Sequence, residues 1–388
     1  MTVPVDPTPL AKKRRYLTAY ALGLFLLIGL SYGIYWVLWG RFYEKTDDAY
    51  VNGNMITLTP QVDGIITSIW ADNAQKVKEG QLIVQLDPHD YQIAFEQKKA
   101  QLGESVRFVA RLFTKVQELE AALEVKKAAL VRANLDFMHR KVLVEDASVS
   151  KEDFEHSETS LYGAFASVLE TEKELEAAYQ EVQGTDLLTH PLVLLSKEGV
   201  KQAYLNLHRC NILSPAEGIV TLRKAEVGTK VSAMSPLLSI VPLDQIWVDA
   251  NFREVQLKDF RIGQPVVLTS DMYGRGVKFH GKLIGMNPGT GSVFSILPPQ
   301  NATGNWIKII QRIPVKISLS LKECREHPLL LGLSMYATVD IHDKMGKQLP
   351  AAIPEKPIYA TNIYENELEG IDAVIEEIII QNSTDGND

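Results

Sequence analysis

Cysteine is scarce in this chain: only Cys210 and Cys324 occur in 388 residues, far apart and without metal-ligand spacing. They read as free or buried thiols, with a structural disulfide as the alternative. An excess of positive charge is also missing. Against 40 Lys and Arg stand 48 Asp and Glu, a formal net charge of −8, which argues against a nucleic-acid partner. No catalytic set can be assembled either. The eight histidines are scattered: His139 and His156 fall on or near the tip of a predicted coiled coil, and His89, His190 and His208 near element ends. None stands at metal or triad spacing from Asp, Glu or Cys. The stretch Pro288-Gly289-Thr290-Gly291-Ser292 lacks the Gly-Lys-Ser/Thr ending and the strand-to-helix context of a phosphate cradle. Asn301-Ala302-Thr303 has the pattern of a glycosylation sequon, which chance alone supplies. These absences point away from an enzyme, a cofactor or a bound metal.

Charge is missing locally as well. From Tyr16 to Trp39 no residue carries one, a run of about two dozen positions, long enough to cross a bilayer as a helix. Tyr16, Tyr20, Tyr35, Trp36 and Trp39 cluster towards its ends like an aromatic belt. Lys12-Lys13-Arg14-Arg15 on the N-terminal flank place that end in the cytoplasm and the rest of the chain outside. A cleaved signal peptide is the rival, but the run exceeds an h-region and no small-x-small site follows Trp39. Residues 1–11, with three prolines and no periodicity, read as disordered.

What the sequence has in abundance is a seven-residue apolar row. Phe95, Leu102, Val109, Val116, Leu123, Leu130 and Phe137 form it first; Phe154, Leu161, Val168, Leu175 and Val182 repeat it. Val193, Val200 and Leu207 resume it after an offset of eleven, a four-residue stutter. With Lys, Glu, Gln and Arg between its members, the row is the seam of an antiparallel coiled-coil hairpin, an amphipathic helix on a globular core being the alternative. The first helix is expected over about 88–144, roughly 80 Å long. Asp87-Pro88 starts it, Glu145 to Val149 form the tip, and Ser150-Lys151-Glu152-Asp153 caps the return helix. That helix breaks near Gly184 and restarts at His190-Pro191.

The flanks of the hairpin match one another. Gly64-Ile65-Ile66-Thr67 corresponds to Gly218-Ile219-Val220-Thr221, Lys76-Val77 to Lys230-Val231, and Ile83, Val84 and Leu86 to Leu237, Leu238 and Ile240, all offset by 154 residues. Each copy is too short to bury a core alone, so the two are expected to fold on each other. The coiled coil is then an insertion between the halves of one β-sandwich. That arrangement resembles a biotinyl/lipoyl domain. Carriers of that type hold a modifiable lysine where the coiled coil is inserted here, and neither edge, Asp87-Pro88 nor Cys210-Asn211, offers one.

From Ile246 to about His342 alternating runs separated by Gly, Pro and Asp turns predict a barrel or sandwich of about six strands. In the tail, Leu368 to Ile380 is a candidate short helix. The predicted organisation is a multidomain α+β chain: N-terminus (1–15), membrane helix (16–39), linker with a first barrel-associated strand (40–56), first lipoyl-like half (57–87), coiled-coil hairpin (88–210), second half (211–243), β-barrel (244–343) and tail (344–388).

This order resembles the HlyD-type membrane-fusion, or periplasmic adaptor, family of Gram-negative bacteria. Thr46-Asp47-Asp48-Ala49-Tyr50-Val51, Trp247 to Phe252, Gly289 to Ser295 and Pro299 to Trp306 resemble its EmrA branch, which serves multidrug exporters of the major facilitator superfamily. The resemblance implies a non-enzymatic adaptor in the inner membrane with its bulk in the periplasm. It also implies a homo-oligomer that links an EmrB-like transporter to a TolC-like outer-membrane channel. Adaptors that meet such a channel carry an Arg, a Leu four residues later and a Ser seven beyond it at the tip. Leu143 and Ser150 match; His139, with Arg140 beside it, stands at the arginine position. The plain alternative makes Leu143 a seam residue and Ser150 a helix cap. Alternative functions are an adaptor of a type I protein-secretion exporter, a structural envelope tether, and a modified carrier subunit.

Overall fold

The structure, a computed structural model, describes residues 9–145, 148–290, 293, 310–349 and 355–383. The sequon at Asn301, the motif from Pro299 to Trp306, most of the stretch after Gly289 and the tip residues Asp146 and Ala147 lie outside the described residues. In chain order the elements are α1 (Pro9–Leu38), β1 (Tyr43–Gly53), β2 (Ile56–Leu58), β3 (Gly64–Ile69), β4 (Lys76–Val77), β5 (Leu82–Leu86), α2 (His89–Glu145), α3 (Lys151–Val182), α4 (Pro191–His208), β6 (Asn211–Leu213), β7 (Gly218–Thr221), β8 (Lys230–Val231), β9 (Leu238–Val241), β10 (Ile246–Arg253), β11 (Pro265–Ser270), β12 (Phe279–Met286), β13 (Arg312–Leu319), α5 (Leu321–Glu326), β14 (Ser334–Asp340) and α6 (Ile371–Ser383).

α1 carries most of a stretch long and apolar enough to span a membrane, Leu17–Phe42, with a mean hydropathy of 2.0. Its helical part is exposed, and its last residue, Phe42, packs against the barrel. It begins earlier than expected: residues 9–11 are helical, not disordered. Proline costs nothing at a first helical position, and extending an existing helix is cheap.

The helix feeds directly into the barrel through β1. The sheet closes in the order β1-β10-β13-β12-β11-β14, so a strand from before the sandwich sits between β10 and β14. Ala49 pairs with Ala250 and Val51 with Val248, and the inward faces of both strands are buried. Phe252, Phe260 and Phe279 are fully buried in this core, Phe252 and Phe260 edge to face at 4.9 Å.

The two matched halves do fold on each other, by exchanging strands. One sheet runs β2-β9-β7-β4 and the other β6-β5-β3-β8, so each takes two strands from each half and the pair interconverts when the halves are swapped. Gly64 pairs with Val231 across one sheet and Val77 with Gly218 across the other. Between them lie Ile66, Ile83, Leu86, Leu237 and Ile240, all buried. The symmetry reaches the backbone. Gly80 and Met234 are equivalent and both have φ near +70° (74° and 71°); so are Ala74 (66°) and Gly228 (85°). A left-handed conformation costs an L-residue about 1–2 kcal/mol, and Met234 is 82 % exposed, with little packing to repay it. Met234→Gly should therefore stabilise the sandwich by about 0.5–1 kcal/mol after glycine's larger unfolded-state entropy is subtracted. A lower melting temperature in the variant would refute this.

α2 has 57 residues, about 85 Å at 1.5 Å each. Asp87 Oδ1 accepts from the His89 amide at 3.1 Å, capping its start. Phe95, Leu102 and Val109 are buried against Val193 and Val200 of α4. Val116 and Leu123 of α2 and Val168 and Val182 of α3 are buried further along the arm, and Phe137 stacks on Phe154 at 5.4 Å near the tip. α3 ends at Val182, Gly184 turns at φ +73°, and His190 Nδ1 accepts from the Leu192 amide at 3.3 Å to cap α4. At the root of the arm a third helix joins. Ile371, Ile375, Ile378 and Ile379 of α6 are buried against Leu102, Val106, Val109, Val193 and Val200. Cys210 lies in the sandwich core and Cys324 in the barrel core, both free, so the disulfide alternative fails. Burial pushes each thiol up to about 11.

Candidate functional site at the hairpin tip

The tip is built by two helix ends. α2 runs out at Glu145, where the Leu143 carbonyl accepts the Ser148 amide at 3.0 Å. α3 then opens on Ser150, whose Oγ accepts the Asp153 amide at 3.1 Å and donates to Asp153 Oδ2 at 2.6 Å. The cap satisfies one of the backbone donors that every helix start leaves over.

The four residues singled out by spacing do not play equal parts. Arg140 is committed within the hairpin: its Nε pairs with Asp136 at 3.3 Å, and Nη1 donates to the Asp153 carbonyl at 3.0 Å, tying α2 to the first turn of α3. Ser150 is exposed, with its hydroxyl engaged in the cap. His139 and Leu143 are exposed and, four apart on α2, share one face. Leu143 is 42 % exposed. Its neighbours extend the apolar surface: Val131, Leu135, Met138 and Val142 are all more than half exposed. Their spacing of four, three and four puts them on one stripe outside the seam.

Elsewhere the chemistry is sparse. Among the described residues no group of three or more His, Cys, Asp or Glu is placed to hold a metal ion. Histidine–carboxylate pairs form as two-residue contacts. His280 Nδ1 lies 2.8 Å from Glu323 Oε1, and His342 Nδ1 lies 2.5 Å from Asp340 Oδ1. The first joins β12 to α5, 43 positions apart, which no local spacing reveals. Burial works against the Glu323 carboxylate, but the His280 amide and imidazole outweigh it and hold its pKa below the usual range. These pairs stand at the barrel surface, and the His342 ring also stacks on Phe42 at 4.2 Å.

The family described as EMRA, alpha-helical hairpin domain, matches residues 89–210, the whole arm. The multidrug export protein EmrA of Escherichia coli (strain K12) is 39 % identical over 98 % of this chain and 97 % of its own length. The fatty acid resistance protein FarA of Neisseria gonorrhoeae is 37 % identical over 96 % of this chain and 93 % of its own. A solved periplasmic adaptor protein EmrA, 20 % identical, covers 77 % of this chain and 99 % of its own, at a TM-score of 0.38, too loose a superposition to carry weight. Near-full-length identity of this order, together with an arm inserted between the halves of a strand-exchanged sandwich, means that the chain belongs to the EmrA family of membrane-fusion adaptors of multidrug efflux.

Proposed function

We propose that this chain links an inner-membrane major facilitator transporter to a TolC-like outer-membrane channel. Exported compounds would then leave without passing free through the periplasm. The observation that carries the proposal is the arm: a rod of about 85 Å serves no enzyme core, and it projects from a sandwich tied through the barrel to a membrane helix. The basic flank at 12–15 sets the N-terminus in the cytoplasm, and the sandwich, barrel and arm in the periplasm. Copies of the chain assemble side by side, and the tips, through His139 and Leu143, meet the channel. Energy comes from the transporter.

The relatives named for multidrug export and fatty acid resistance support amphipathic compounds as cargo. Deleting the gene in a strain without redundant pumps should raise susceptibility to amphipathic drugs several-fold, and the intact gene should restore resistance. Unchanged susceptibility would overturn the efflux role and favour a structural tether.

A further inference from the structure

The arm joins the rest of the molecule at two short crossings, between β5 and α2 and between α4 and β6. β5 and β6 are hydrogen-bonded neighbours, Leu82 opposite Leu213 and Val84 opposite Ile212, so both crossings leave the sandwich side by side. Two adjacent attachment points define an axis about which a rigid rod can rock. A third contact away from that axis removes the motion.

Close to the crossings the Tyr91 hydroxyl donates to the Asp63 carbonyl at 2.8 Å; the C-terminal segment adds contacts further along the arm. On the sandwich side, Thr361 Oγ1 donates to Glu79 Oε1 at 3.3 Å, and Ile363 and Tyr364 face Leu58 and Ile212 across a cavity of about 320 Å³. At the root, Glu367 pairs with Arg209 Nη2 at 3.3 Å, and the Tyr204 hydroxyl donates to the Glu369 carbonyl at 2.9 Å. Further up the arm, Lys201 lies 3.5 Å from Asp372, and the four buried isoleucines of α6 sit on the face made by α2 and α4. The fit is close at Gly103, where a Cβ would meet the Asn382 side chain at 3.0 Å. Before this stretch, the chain is fastened to the barrel by Lys344 to Asp259 at 2.8 Å and by the Ile262 amide to the Lys347 carbonyl at 2.9 Å.

We infer that residues 355–383 form a strut that fixes the direction of the arm against the sandwich, with α6 as its positioning element. The strut braces the arm where a small rotation is magnified most: a few degrees at the root displace a tip about 85 Å away by several ångströms. What this does for export rests on the adaptor reading above; the geometry does not.

Spin labels at Val227→Cys on the sandwich and Glu174→Cys on the arm measure the direction, with labelled protein diluted in unlabelled so that only distances within one chain are read. The native thiols are buried and stay in place. The labelled but otherwise unaltered chain should give one narrow distance distribution, and Ile375→Asp should broaden it at least twofold while far-UV circular dichroism still reports the long helices. Should Ile375→Asp not fold, the milder Ile371→Ala/Ile375→Ala double variant takes its place. An unchanged distribution in either folded variant overturns the strut. Because the distances are read on purified full-length chain, they decide the strut independently of any export measurement.

Discussion

Leu143→Asp should abolish export while leaving the fold intact. Leu143 stands 42 % exposed on the last turn of α2, and docking against a channel would bury it. A charge forced into such a contact costs several kcal/mol unless it is paired. Even 3 kcal/mol would weaken docking about a hundredfold. The folded chain loses far less. Aspartate near a helix C-terminus opposes the dipole and lowers helix propensity, together about 1 kcal/mol, confined to the tip. Leu143→Lys separates the two effects, because a cation is favoured at that end yet equally unwelcome in an apolar contact. Both variants should lose export, and neither should shift global melting by more than a degree or two. Full export from Leu143→Asp would remove the docking assignment.

Gly281→Ala should break the barrel. A Cβ at that position would be driven into the backbone carbonyl oxygen of Ser318 on the neighbouring strand, and would lie 2.9 Å from Ile317 Cγ2. Backbone cannot rotate aside as a side chain can, so β12 and β13 would have to separate. A cost of about 3 kcal/mol is expected. For a module of roughly a hundred residues that lowers the melting temperature by more than about 10 °C. Gly285→Ala on the same strand is the control, since a Cβ there meets nothing within 4 Å. Calorimetry of the two variants decides the matter; equal melting temperatures would mean that β12 relaxes without cost.

The contrast between Gly281 and Gly285 shows where pattern reading stops. Both are strand glycines with the same sequence signature, and only the position of β13 tells them apart. The tip motif behaves likewise. Spacing pointed to His139, Arg140, Leu143 and Ser150, but it could not foresee that Arg140 would be spent on the Asp153 carbonyl. The tail helix was visible as a possibility, and its isoleucines at 371, 375, 378 and 379 mark a single face. That the face closes on the root of the arm was not visible, because α6 and α2 are more than two hundred residues apart.

The sequence by itself determined the membrane span, the length and seam of the arm, and the division of the sandwich into two related halves. Each depends on run length or periodicity, which neighbouring residues carry among themselves. Only the tertiary structure decided that β1 completes the barrel, that the halves exchange strands sheet by sheet, and that α6 braces the arm. Those outcomes turn on which buried surfaces meet across long stretches of chain, and complementarity of that kind has no local period to betray it.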